Sequence, residues 1–260
     1  MERMLGYDHW VQRFKNKVRP PLFLIRALNH SKEQFACPLC NYQGPFVDFH
    51  SFAGTRKHAV CPKCRSLERH RLQYLVVTGA LEGRNSLEMK MLHFAPEKYL
   101  RPIFAKRFAG YETADLYMSG VDHKVDILSL PFRDGTYDFV FASHVLEHIA
   151  DDQKAIAEIR RVLKPQGLAI LPVPVVCDKT IEYPEANPHE AGHVRAPGLD
   201  YYDKYKHYFS RVEIHASQSF PEKYQLFVYE DRSVWPTANC PLRPPMQGER
   251  HSDFVPVCYV

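Results

Sequence analysis

Two short stretches, "CPLC" at 37–40 and "CPKC" at 61–64, constrain this chain more than anything else in it. Each places two thiols on one tight turn, and twenty residues separate the pairs. A spacing of C-x2-C, roughly 15–20 residues, then C-x2-C is a zinc-binding pattern. Thiolates on two such turns complete a tetrahedron around the metal at ~2.3 Å. The residues between, "NYQGPFVDFHSFAGTRKHAV", are aromatic and turn-rich, which suits short hairpins around a zinc ribbon. His50 and His58 lie there and could compete as ligands, but Cys37, Cys40, Cys61 and Cys64 already close a four-sulfur site. A closed site leaves no position for water, so the zinc is expected to fold the module and not to catalyse. Cys177, Cys240 and Cys258 have no partners at useful spacing.

A chain of 260 residues, 45% hydrophobic and with charges of both signs, suits a soluble protein of one good-sized domain and a smaller appendage. The net charge of +4 is too small to mark a nucleic-acid binder, but it is unevenly spread. Residues 1–30 hold six Lys/Arg against two acids, and residues 56–71 hold six against one. A solvated basic face is the simpler account of both runs. The start, "MERMLGYDHW", has no apolar signal core, and no run approaches the ~18 residues of a membrane span. A cytoplasmic protein with reduced thiols is expected, with no membrane partner.

After the second cysteine pair, "RSLERHRLQYLVVTGAL" spaces Leu72, Leu75 and Val76 for a linking helix, and "GRNS" breaks it. Strands are then expected near 90–94, 111–116, 123–127, 137–142 and 168–174, with helices near 97–108 and 151–163. A helix near 200–208 and strands at 210–216 and 223–230 follow. Alternation of this kind predicts an α/β fold, a doubly wound and mostly parallel sheet with helices on both faces. Ligands on such a sheet bind at the carboxyl ends of the strands, around the switch point. The proline-rich stretch at 236–260 reads as a surface-hugging tail.

The corners of that sheet hold the candidate chemistry. "KMLHFAPEKYL" enters a strand-to-helix corner where nucleotide-binding α/β proteins carry a glycine-rich loop, yet it contains no glycine. Asp115 closes the second strand twenty residues after Ala95, the spacing of a ribose-binding carboxylate. A surface acid at a strand end is the alternative there. Asp126 closes the third strand in "HKVDILSLPF", placed to accept from an adenine amino group. "LPFRDGTYDFVFASHVLEHI" gives a turn, then a strand ending at Ser143-His144; "AIAEIRRVLKPQGLAILPVP" gives an amphipathic helix, a Lys-Pro-Gln-Gly turn and a buried strand.

From Asp126 to Pro174 the chain resembles the class I S-adenosylmethionine-dependent methyltransferases of the ubiquinone-biosynthesis-like type. Their pattern is an acid, "LPF", an "xxFD" strand, "VLEH", a helix and "RVLKPGG". The ordered corners extend the likeness over 90–230. The chain is also similar to a narrower group with a zinc ribbon ahead of that domain, through "CPxC…CPxCxSxxRHR", "HFAPE" and a later "HVR". Here those are Cys61 to Arg71, His93 to Glu97, and His193 to Arg195. The resemblance implies a Rossmann-like doubly wound methyltransferase sheet at 85–235, with S-adenosylmethionine as cofactor. A basic segment at 1–30 and a zinc ribbon with its linking helix at 31–84 would precede it, and the tail at 236–260 would follow.

Most relatives have "DxGxGxG" where this chain has "HFAPEKY". His93 replaces the strand-end acid, Ala95 the first glycine and Glu97 the second. The glycines let backbone approach the ligand, and alanine is the next smallest residue. Pro96 suits a first helical turn, and Glu97 suits the positive helix end and could hold the cofactor's α-ammonium. The implied cofactor residues are therefore His93, Phe94, Ala95, Glu97, Asp115, Leu116, Asp126, Ile127 and Ser143. His70, on the linking helix, either reaches the cofactor carboxylate or lies on a solvated face.

"SHVLEH" places His144 at the end of the fourth strand, toward the methyl group, with Glu147 and His148 a turn later. His193 and Arg195 belong to the insertion at 175–198, a substrate lid. His144 and His193 are the candidate acid–base residues, with a hydrogen-bonded structural role as the plainer alternative for each. "ASHV" lacks the "(N/D)PP(Y/F)" turn of base-amino methylation, and no cysteine nucleophile stands near that corner. O-methylation of a small polar or sugar-like acceptor is the expected reaction. Action on RNA or DNA docked by the basic ribbon is second, and a non-catalytic zinc-ribbon interaction module is third.

Overall fold

Chain direction reverses around each cysteine pair. The computed structural model describes residues 32–51 and 54–260, so the basic segment expected at 1–30 lies outside the described residues. β1 (Phe35–Ala36) and β2 (Gln43–Gly44) pair across the first turn, and β3 (Val47–Ser51) pairs with β4 (Gly54–Val60) ahead of the second. Asn41 and Arg65 take left-handed backbone, with φ of 57° and 66°. The N–H of Asn41 thereby returns to Cys37 O and that of Arg65 to Cys61 O, both at 2.9 Å. The linking helix α1 (Glu68–Ala80) follows.

The remaining chain alternates. In order come β5 (Lys90–Phe94), α2 (Arg101–Arg107), β6 (Gly110–Asp115), β7 (His123–Lys124), β8 (Tyr137–Ala142), α3 (Asp152–Val162) and β9 (Leu163–Ile170). A hairpin of β10 (Ile181–Asn187) and β11 (His193–Ala196) is then inserted, followed by β12 (Arg211–Ala216), β13 (Val228–Tyr229), β14 (Arg250–His251) and β15 (Phe254–Tyr259). One seven-stranded sheet runs β12-β15-β9-β8-β5-β6-β7. β7, β6, β5, β8 and β9 are parallel, and β15 is antiparallel to both its neighbours. The order reverses between β5 and β8, so the switch point lies between their carboxyl ends.

Period-two alternation makes this sheet two-faced. Leu92, Phe94, Val140 and Ala142 point to the side covered by α3, through Ala155, Ile156, Ile159 and Val162. Met91, Phe139 and Phe141 point to the side covered by α1 and α2, through Leu72, Val76 and Phe104. Helix α3 starts where Asp151 accepts from the Lys154 N–H at 3.1 Å, a side-chain N-cap.

The structure corrects several boundaries. α2 begins at Arg101, so Glu97 stands in the loop before it and not at a helix end. β7 covers only two residues of the strand expected at 123–127. The Lys-Pro-Gln-Gly turn is absorbed as an irregularity within β9, between the pairs Tyr137↔Leu163 and Phe139↔Leu168. The 200–208 segment is a 3-10 helix, Leu199–His207. The strand expected at 223–230 shrinks to β13, which joins β4 and β14 in a four-stranded sheet. The surface tail is corrected most. Near its end, β15 is a buried strand between β12 and β9. Its pairing with β9 starts at Val257, one residue past Pro256, so the proline stands outside that ladder.

The ribbon and the large sheet share structure. β13 and β14 extend the ribbon hairpin, and Arg71 fastens the two parts from within. Its guanidinium is fully buried and donates to Ala59 O and Ser66 O on one side and to Tyr224 O and Gln225 O on the other. A planar fork of five donors can meet that many carbonyls at once; a lysine could not.

Candidate active site

The cysteine turns bring their sulfurs together. Cys37 Sγ and Cys64 Sγ stand 3.6 Å apart, as do Cys40 Sγ and Cys61 Sγ, and all four lie within 4.8 Å of one another. Sulfurs held tetrahedrally at ~2.3 Å from one ion would be ~3.8 Å apart, so the donor set fits zinc. His50 and His58 stand aside: His50 Nδ1 bonds Thr55 Oγ1 at 2.9 Å, and His58 faces Glu33 at 4.0 Å. Cys177, Cys240 and Cys258 are buried and separate.

At the switch point the strand ends surround a cavity of about 290 Å3, near the lower end of small-molecule clefts at ~300–1,000 Å3. Phe94, Ala95, Asp115, Leu116, Asp126 and Ile127 line it, six of the ten residues expected to hold the cofactor. Ala95 takes φ 44°, the left-handed region that a glycine would enter without strain, and its N–H continues the parallel ladder to Ala114 O at 2.9 Å. Asp115 Oδ1 accepts from the Tyr117 and Met118 N–H groups, both at 2.7 Å, which fixes the carboxylate at the rim. Asp126 Oδ1 likewise accepts from the Leu128 N–H.

The other four, His70, His93, Glu97 and Ser143, are not in that wall; they form a buried polar cluster behind the Ala95 corner. His93 is fully buried, with Nδ1 2.8 Å from Tyr111 Oη and Nε2 3.0 Å from Glu97 Oε2. Burial would raise the Glu97 carboxyl, but hydrogen bonds from His93 and Ser143 and the charge of His93 hold it below the usual range. Ser143 also accepts from the Gln73 amide at 2.9 Å. Two buried atoms here have no hydrogen-bond partner among the described residues: Gln73 Oε1 and His70 Nε2. His70 Nδ1 accepts the Leu67 N–H at 3.0 Å, so in the neutral ring Nε2 carries the proton. The cluster thus offers one unused donor and one unused acceptor. Gln73 escaped the sequence reading, although a glutamine on the apolar stripe of α1 was the available signal.

His70 also sets an acid response. Burial, with Arg69 beside it, pushes its imidazole down from 6.5 to about 3. An unfolded chain takes up that proton below about pH 6.5, whereas the folded one waits until about 3. The contribution to stability is therefore complete above pH 6.5 and lost as pH falls, at about 1.4 kcal/mol per unit. His193 and His251, also pushed down by burial, act with the same sign. Glu97 and Glu147 have lowered values and matter only below the usual carboxylate range. Glutamine at the third helical position can accept the same cap hydrogen bond. In urea unfolding at about pH 6.5 and 5.5, His70→Gln should lose about 1 kcal/mol less between the two than the unsubstituted protein; equal losses would remove His70 as the cause.

His144 follows β8 with φ 55°, its N–H donating to Pro172 O at 2.9 Å, the counterpart of the Ala95 corner. Its Nδ1 lies 3.3 Å from Oε1 of Glu147, which is fully buried. Burial would raise the Glu147 carboxyl; the adjoining His144, and His193 beyond it, hold it low. His148 lines the first cavity, and its ring meets that of His193 edge-on at 4.7 Å. A second cavity, of about 280 Å3, adjoins. His193 lines it, and His144 lines both. Arg195 is not in the wall: buried, it donates to Leu146 O and Ile149 O and pairs with Glu182, tying the insertion to the β8 corner.

Residues 90–171 match the family described as methyltransferase domain. An uncharacterized 37.1 kDa transposon protein of Streptomyces fradiae is 43% identical over 60 residues, 23% of this chain and 17% of that one. A ubiquinone/menaquinone biosynthesis C-methyltransferase of Desulfotalea psychrophila is 36% identical over 80 residues, 30% and 29% of the two chains. The chain thus spans less than a third of the length of either relative. Among solved structures, an S-adenosylmethionine-dependent methyltransferase from Mesorhizobium loti superposes with a TM-score of 0.45 at 10% identity, over 74% of this chain and 99% of that one.

Proposed function

We propose that this chain, which carries a class I S-adenosylmethionine-dependent methyltransferase domain at residues 90–171, methylates a hydroxyl of a small polar or sugar-like acceptor. One observation carries the reading: His144, with Nδ1 3.3 Å from the Glu147 carboxylate, is a wall common to the switch-point cavity and the cavity beside it. When bound, S-adenosylmethionine would supply an electrophilic methyl on a sulfonium.

The residues divide the remaining work. Asp115 and Asp126 accept from the ribose and the adenine. His70 Nε2–H and Gln73 Oε1, both without partners in the buried cluster, suit the carboxylate and ammonium of the methionine end. His144 would take the acceptor's proton as the methyl passes from sulfur to the acceptor oxygen, which leaves S-adenosylhomocysteine, and Glu147 would stabilise the imidazolium that results. His193 orients the acceptor. Zinc in the four-cysteine site holds the ribbon that positions α1. Docking on nucleic acid is disfavoured because half of the six basic residues at 56–71 are taken up within the fold: Arg71 is buried, Arg56 pairs with Glu68, and Arg69 lines the second cavity.

Thermal unfolding with added ligand tests the cofactor half. S-adenosylmethionine at ~100 times its dissociation constant should stabilise the fold by ~2.7 kcal/mol, and NAD should not. Asp115→Ala should weaken that affinity about tenfold or more, the cost of a lost charge-assisted hydrogen bond at ~1.5–3 kcal/mol. Stabilisation by NAD and none by S-adenosylmethionine would overturn the proposal.

A further inference from the structure

Four guanidinium groups line the second cavity: Arg56, Arg69, Arg232 and Arg243. Two are matched by acids. Arg56 Nε donates to Glu68 Oε1 at 2.8 Å, and Arg232 Nε to Glu230 Oε2 at 3.0 Å. The other two form no ion pair among the described residues. Arg243 lies over the Trp235 ring at 4.3 Å, and Arg69 neighbours the buried His70. Among the described residues, the Nε–H of each is buried with no hydrogen-bond partner. A buried donor left without an acceptor costs ~1–3 kcal/mol, so two arginines that carry such donors in one cavity wall favour acceptor oxygens there.

The acids of that wall do not meet the demand. Glu230 is taken by Arg232, and burial pushes the Asp253 carboxyl up toward its neutral form. Glu190 accepts from Tyr183 Oη at 2.8 Å, and neither Glu190 nor Asp253 forms an ion pair with Arg69 or Arg243 among the described residues. Planar guanidinium forks fit the paired, charged oxygens of a carboxylate or phosphate, where a neutral hydroxyl offers one uncharged acceptor.

We infer that the methyl acceptor carries an oxyanion, a carboxylate or a phosphate, received by Arg69 from α1 and Arg243 from the segment between β13 and β14. The inference rests on the methyl-transfer reading for the identity of the second cavity as the acceptor site. It narrows the acceptor class from polar to anionic, and it explains why an arginine of the linking helix faces the reaction side.

The test uses the full chain saturated with S-adenosylhomocysteine, so that the first cavity is filled, and titrates inorganic phosphate and, separately, citrate by calorimetry. Saturable binding of at least one anion is expected, with phosphate against citrate telling which oxyanion is preferred. Arg69→Gln and Arg243→Gln should each weaken it at least tenfold. Arg69 makes no ion pair, so its substitution should leave folding intact, and an unchanged affinity for S-adenosylhomocysteine verifies that. Absence of saturable binding by either anion overturns the inference, as does binding that survives both substitutions. An RNA oligonucleotide that binds tighter than either anion through the same arginines also overturns it. Failure of S-adenosylhomocysteine itself to bind would instead remove the methyl-transfer reading, and the anion titration would still report on the arginines.

Discussion

Metal analysis of the reduced protein should return about one zinc per chain, and Cys37→Ser should abolish it. The expected loss of stability is large. The ribbon's own core is small, with Phe35, Cys37, Phe46 and Cys61 as its buried members, and modules of this size need a metal or a disulfide to fold. Zinc in small peptides contributes on the order of 10–16 kcal/mol apparent. In the whole chain part of that is shared with Arg71 and the β4–β13 pairing, so a fall in melting temperature on the order of 10 °C is expected. The damage should spread. α1 starts four residues after Cys64 and carries His70 and Gln73, so chelation should also weaken S-adenosylhomocysteine binding measured by calorimetry. His58→Ala, which touches no sulfur, should retain the metal. Unchelated protein that contains no zinc, yet melts as before when Cys37 is replaced, would contradict the structural role.

The sequence exposes what is local or periodic. The two cysteine turns are complete within four residues each, so spacing alone places the sulfurs. The apolar alternation of β5 and β8 and the i, i+4 stripe of α3 likewise carry their own evidence, and the strand-end residues Asp115, Asp126 and His144 follow from them. Elements held by distant partners are illegible. β15 is introduced by prolines and interrupted by Pro256, and only its burial between β12 and β9 makes it a strand. Glu97 reads as a helix-end acid until His93 and Ser143 are seen to hold it. The second cavity is least legible of all. Arg56, Arg69, His193, Arg232 and Arg243 come from the ribbon, α1, the inserted hairpin and the C-terminal segment, and no spacing relates them. Sequence suggested that Arg56 and Arg69 belong to one solvated basic run; packing assigns one to Glu68 and the other to the cavity.

His144→Asn should lower turnover at least tenfold while cofactor affinity persists. A general base contributes ~10²–10⁴ in rate when the acceptor is a hydroxyl. Asparagine suits the position on two counts: it tolerates the left-handed backbone that His144 adopts at φ 55°, and it cannot take a proton at neutral pH. The loss therefore reports on proton transfer and not on a distorted corner. Glu147→Gln removes the charge 3.3 Å behind Nδ1 and keeps the shape of the side chain. Without that carboxylate the imidazolium forming on His144 is unsupported, so turnover should fall, with the Michaelis constant for the acceptor little changed. His193→Asn should do the reverse, raising that constant more than it lowers turnover, because its ring lines only the acceptor cavity. Steady-state formation of S-adenosylhomocysteine, read beside a cofactor-binding titration for each variant, separates these outcomes. Normal turnover by His144→Asn would move the base elsewhere. Glu182 is a poor successor, being held by Arg195 at 2.8 Å and Lys204 at 3.2 Å. His193 would remain, or a hydroxyl acidic enough to react without a base.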